Sequence, residues 1–125
     1  MEDIKILIND IERGKLLSEG VFKEIDLDSI LEIRDSDPFD SEWISCYDEI
    51  KEIIEKTPLS NEQHALVDEL RKAAFIAASK ATGQHEIASY ISDDFELISS
   101  AIFSGFSNEI LSRLLKSYKS GVLPC

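Results

Sequence analysis

Apolar residues in this sequence recur at intervals of three and four, and no segment alternates apolar with polar residues over a useful length. Period-two alternation marks a half-buried strand, whereas spacing near 3.6 marks a helix with one face buried. The pattern restricts the chain to an all-α fold and predicts a single-domain bundle of about six to seven helices over residues 1–125. A chain of 125 residues, 43% apolar, has the size and apolar content of one self-sufficient domain. It needs neither a disulfide nor a metal to fold.

Residues 3–13 place Ile4, Leu7, Ile8 and Ile11 on one face, with Gly14 as a C-cap. Ser18 is positioned to cap a turn carrying Val21, Phe22 and Ile25, and Asp28 a further turn through Ile30, Leu31 and Ile33. Periodicity leaves open whether 18–34 is one bent helix or two short ones. Residues 34–40 read as a loop, because Asp35-Ser-Asp-Pro38 is turn chemistry and Pro38 disfavours helix at Asp37. Asp40 or Ser41 then caps a helix to about Lys56 with a stripe of Trp43, Tyr47, Ile50 and Ile54; Pro58 stops it.

Ser60 and Gln63 form a capping box that opens a long alanine-rich helix ending near Thr82, with Gly83 as its left-handed cap. Leu66, Leu70, Ala73, Ala74, Ala77 and Ala81 line one side. The small side chains allow close approach, so this helix is expected to be the central scaffold, with the acidic helix packed on it. A short helix follows at Glu86–Tyr90. Asp93 and Glu96 resemble a second box, opening a helix through Phe103 whose first-turn carboxylates complement the macrodipole. Gly105 ends it. Ser107 caps a last helix carrying Ile110, Leu111, Leu114, Leu115 and Tyr118, which Gly121 terminates.

The charge is distributed unevenly. The chain carries −12, and residues 24–55 hold twelve carboxylates against Arg34 and Lys51, so 2 − 12 gives −10 in that stretch. Residues 1–62 hold 7 cations and 18 anions, and the remainder 6 and 7. Nucleic acids and anionic membranes are recognised by clustered Lys and Arg, so this charge argues against both. It favours a protein partner with a basic surface. The candidate contacts are Asp35, Asp37, Asp40, Glu42, Glu49 and Glu52, with Trp43 or Tyr47 as aromatic anchor. Asp93 and Asp94 form a second candidate patch. The alternative reading of all these carboxylates is ordinary use as caps and solvated faces.

Other chemistry is poorly supported. Counted as a calcium loop from Asp35, position 5 is Phe39, position 6 is Asp40 and position 12 is Cys46, so the ligand pattern fails. His85-Glu86 begins a zinc-protease motif, but Ser89 stands where the second histidine belongs. Cys46 lies in an acidic helix without a histidine nearby, which blunts a thiol. No enzyme and no cofactor are expected. The N-terminus lacks the charge and apolar run of a signal peptide, and no apolar run approaches the about 20 residues of a membrane span. The expected location is the cytoplasm, with Cys46 and Cys125 reduced.

Residues Ile11-Glu-Arg-Gly14-Lys15-Leu16-Leu-Ser18-Glu19-Gly-Val-Phe22 resemble the opening of the small helical immunity proteins of the colicin D type: an apolar helix, a Gly-Lys turn, and a serine-led segment to Phe. The likeness reaches about residue 25 and carries over no contact residue. Small size, acidity and the absence of catalytic motifs also resemble the immunity proteins of contact-dependent and polymorphic toxin systems. The resemblance implies an antitoxin-like protein of bacterial origin that binds a cognate toxin domain, often a basic nuclease, and occludes its active site. The competing reading is a helical adaptor or homo-oligomeric subunit, with the alanine-rich and C-terminal helices as a dimer seam. Monomer and homodimer both remain open.

Overall fold

The computed structural model describes all 125 residues. Seven helices follow one another without a strand: α1 (Glu2–Glu12), α2 (Glu19–Phe22), α3 (Leu27–Arg34), α4 (Phe39–Lys56), α5 (Asn61–Thr82), α6 (His85–Ser104) and α7 (Glu109–Lys119). All seven contribute side chains to one continuous hydrophobic core. The all-α, single-domain expectation is what the chain adopts.

The centre is α6 rather than the alanine-rich α5. Ile87, Ile91 and Phe95 are fully buried, and Leu97, Ile98 and Ala101 nearly so. Helix α5 packs along one side of it, with Leu70, Ala74 and Ala78 fully buried, and α1 and α2 lean on α5. The acidic α4 packs on α6 and α7, not chiefly on α5 as the sequence suggests. Alanine spacing indicates which helix others can approach closely, but not which helix has neighbours on every side. Helix α6 has them because its apolar residues fall around most of its circumference.

Several local expectations hold. Ser60 and Gln63 make the capping box in both directions, at 3.1 and 2.9 Å. Gly83 sits at φ +66 in the two-residue link between α5 and α6. Residues 18–34, which periodicity leaves open, are two short helices, divided where Glu24 adopts φ +58.

Others shift by one or two residues. Asp26, not Asp28, caps α3, accepting from the Ser29 N–H at 3.3 Å. Asn108, not Ser107, caps α7, accepting from the Leu111 N–H at 3.0 Å. Helix α4 starts at Phe39, ahead of Asp40 and Ser41, and Asp37 accepts from the Ser41 N–H at 3.3 Å.

The break expected between residues 90 and 93 does not exist, because α6 is continuous there. Asp93 and Glu96 look like a helix start, but their side chains, with that of Ser92, serve Arg71 on α5. Arg71 donates to Asp93 at 2.9 Å, to Ser92 Oγ at 3.4 Å and to Glu96, while the Ser92 hydroxyl donates to the Arg71 carbonyl at 3.1 Å. Ser and Asp favour caps because they compete for backbone groups. Here a neighbouring helix engages them instead.

Candidate functional site

The acidic stretch is built over a buried polar junction. Leu27, Leu31 and Arg34 recur at four and three residues, so Arg34 shares the inward face of α3. On α6, Asp94 falls between Ile91 and Phe95 on the apolar stripe. Asp94 is 0% exposed and Arg34 6%. They meet in a two-pronged ion pair, Nη1 to Oδ2 at 2.8 Å and Nη2 to Oδ1 at 2.6 Å. Trp43 Nε1–H donates to Asp94 Oδ1 at 2.9 Å, and the Tyr118 hydroxyl donates to Oδ2. Arg34 also donates to the Pro124 carbonyl at 3.3 Å. The Asp94 carboxylate thereby ties together α3, α4, α6 and α7, and Arg34 adds the C-terminal segment.

The electrostatics follow from burial. Desolvation opposes the Arg34 charge, but the hydrogen bonds and charge of Asp94 outweigh it and hold the guanidinium above its ordinary range. Burial, with Asp94 alongside, pushes the Tyr118 phenol well above its usual value. Both groups therefore keep their donor protons at neutral pH. The Arg34 guanidinium also lies 4.7 Å from the Phe39 ring centre and 5.5 Å from that of Tyr90.

Above this junction lies the acidic face. Of the twelve carboxylates in residues 24–55, eleven are exposed and Asp40 is half-buried. Five have internal duties: Asp26 caps α3, Asp35 accepts from the Tyr90 hydroxyl, Asp37 holds Ser41, Glu42 pairs with Arg113, and Glu52 pairs with Lys56. The other seven, 12 − 5, include Asp40, Asp48 and Glu49. Hydrogen bonding to Asp35 pushes the Tyr90 phenol up to about 12.

The candidate contacts divide accordingly. Asp35, Asp40, Trp43 and Asp93 come together around a hollow of about 200 Å³ between α3, α4 and α6. Ile44 joins this hollow to a neighbouring depression that holds Glu49 and Glu52. Asp37 and Glu42 lie around the corner of α4, beside Arg113. Trp43 is half-buried, and its ring stacks on the exposed Tyr47 at 5.8 Å between centres.

Asp94 must be withdrawn from the candidate surface, because every edge of its carboxylate is used inside the protein. Asp93, its neighbour, is half-buried and paired with Arg71. The reading by residue type overlooked Arg34, Tyr90 and Tyr118. A signal existed for the first: an arginine on the apolar stripe of one helix and an aspartate on that of another are each too costly to bury alone.

No group of three or more His, Cys, Asp or Glu side chains is placed to hold a metal. No helix is long and apolar enough to cross a membrane. Cys46 and Cys125 are both free thiols.

With this geometry in place, the family comparison decides the class. The model of a family described as "Immunity protein PIM1" matches residues 6–125, nearly the whole chain. The chain belongs to the immunity protein PIM1 family. Comparison with individual curated proteins found no match. PIM1 membership accords with the immunity-protein resemblance read at residues 11–22, and it extends over helices that the resemblance did not reach. An immunity family implies a protein partner, a toxin, and a role that is generally not enzymatic.

Proposed function

We propose that the protein neutralises a cognate toxin domain by laying its acidic α3–α4 face over a basic active site of the nuclease type. The observation that carries this reading is the fate of Arg34. In the sequence it offsets the acidic stretch; in the fold it is buried against Asp94. Lys51 is then the one cation left to residues 24–55, and 1 − 12 gives −11 on a stretch whose side chains point almost entirely outward. An active site that grips phosphates displays Lys and Arg. A complementary field steers the encounter and raises the association rate. Trp43 and Tyr47 supply a stacked aromatic anchor beside the carboxylates. Such a protein would act in the cytoplasm of the toxin-producing bacterium, without a cofactor and without contacting nucleic acid or membrane.

The test is the association rate between a cognate toxin domain and the intact chain, measured across a range of NaCl concentrations. The rate is expected to fall steeply with salt, and less steeply for an Asp48→Lys/Glu49→Lys protein. A rate independent of salt would overturn the proposal.

The homo-oligomer reading has less apolar surface to draw on than the spacing of α5 and α7 suggests. Leu66, Leu70, Ala74 and Ala78 are buried on α5 and Ile110, Leu111, Leu114 and Tyr118 on α7, which leaves Ala73, Ala77 and Ala81, half-buried beside the exposed Ile76, as the apolar surface open on α5.

A further inference from the structure

The hollow between α3, α4 and α6 has a composition that suits one kind of guest. Its lining combines three carboxylates, Asp35, Asp40 and Asp93, with three aromatic rings, Phe39, Trp43 and Tyr90. Arg34 forms its floor and shows how this part of the fold holds a guanidinium. The Arg34 plane lies near Phe39 and Tyr90, and its two terminal nitrogens bind one carboxylate. Asp94 cancels the charge of Arg34, so the lining still presents a negative surface to a guest.

Polar groups beside the hollow are incompletely compensated within the protein. Asp93 is half-buried, and burial pushes its carboxyl up more than the charge of Arg71 beside it pulls it down. Arg34 is nine-tenths buried, and its Nε–H has no acceptor within the protein. A cationic side chain entering the hollow would supply counter-charge to Asp40, which is half-buried there and paired with no side chain of the protein.

We propose that this hollow receives a single arginine side chain projecting from the toxin, held by Asp40 and its neighbouring carboxylates against the aromatic lining. The identity of the partner rests on the function proposed above; the chemistry of the guest rests on the hollow. Arginine suits it better than lysine, because a planar guanidinium can stack and take two hydrogen bonds from one carboxylate, whereas an ammonium is a point charge. At about 200 Å³ the hollow admits a side chain and not a helix.

Trp43 is the single tryptophan of the chain and lines the hollow, so its fluorescence reports this site. The intact protein is titrated at low salt with acetyl-Gly-Arg-Gly-amide and with its lysine and citrulline counterparts. The arginine peptide should give a saturable change. The neutral citrulline peptide should bind roughly tenfold or more weakly, the size of one charge-assisted hydrogen bond. The lysine peptide should fall between them. Asp40→Asn, at a side chain that the fold does not bond, should weaken the arginine peptide by a similar factor while the protein stays folded by circular dichroism, with at most the small loss of a first-turn carboxylate. Ile44→Arg, at an exposed lining position, should abolish binding by filling the hollow with the protein's own guanidinium. Equal binding of the arginine and citrulline peptides, no saturable change, or parent-like binding by either variant overturns the proposal. A steep salt dependence with a silent Trp43 would remove the arginine receptor and leave the steered inhibitor standing. Peptide binding with salt-independent toxin association would do the reverse.

Discussion

Asp94 on α6 receives both terminal nitrogens of Arg34 from α3, sixty residues away in sequence, with neither group open to water. Attraction in such a pair offsets two large desolvation costs, so removing one member leaves the other charged, buried and unpaired. Asp94→Asn is expected to destabilise the protein by about 3–5 kcal/mol, read from urea unfolding. Replacing both, as Arg34→Met/Asp94→Leu, should cost far less than the sum of the single changes. Additive losses would show that the pair is not coupled.

Acid should reveal two carboxylates acting in opposite directions. The Asp26 carboxyl is held below its ordinary 3.8, first by the Ser29 hydroxyl and then by the Ser29 N–H. Its folded pKa is depressed, so its contribution is present above the unfolded value and lost as pH falls through the folded one. Asp93 is raised above 3.8, chiefly by burial. The folded state therefore binds the Asp93 proton more tightly, and stability gains from Asp93 as pH falls through that raised value. From pH 7 to pH 3, the stability of the parent relative to Asp26→Asn should decline, while that relative to Asp93→Asn should increase. Urea midpoints across that range check both signs.

Two substitutions separate backbone from side-chain contributions in α5. Gly83 sits at φ +66, and a Cβ added there would meet nothing within 4 Å. Gly83→Ala should cost about 1 kcal/mol from left-handed backbone strain alone. Ser60→Ala removes half of the capping box and should also cost about 1 kcal/mol. The sites lie at opposite ends of a 22-residue helix, so the double variant should show the sum of the two losses in thermal unfolding.

The two thiols should differ in accessibility. Cys46 is 1% exposed, burial raises its pKa, and it shares a weak contact with Asn108 at 3.5 Å; Cys125 is exposed. A thiol reagent should label one cysteine promptly under native conditions and the second only on unfolding. Prompt labelling of both would show that α4 opens away from α7.

Much of the fold could be read locally. Three-and-four spacing marked the long helices, and Ser60, Gln63 and Gly83 marked the ends of α5. Each of these signals acts within one or two helical turns. Misreadings clustered where a polar side chain has two local uses. Asp93 could have capped a helix, and only Arg71 arriving from α5 decided otherwise. Much of the candidate surface was legible in the same way, since carboxylates without apolar company stay in water. Asp94 was the exception, because residue type alone cannot distinguish a solvated carboxylate from one that meets a buried arginine.

The sequence by itself determined an all-α chain with a strong negative bias in its first half, because helical period and net charge are sums over neighbouring residues. The tertiary structure alone decided that Arg34 leaves the acidic surface to meet Asp94, that Trp43 is oriented by that same carboxylate, and that Asp35, Asp40 and Asp93 converge on one hollow. Those outcomes depend on which helices meet, and a buried charge is tolerated only where its counter-charge arrives from another helix.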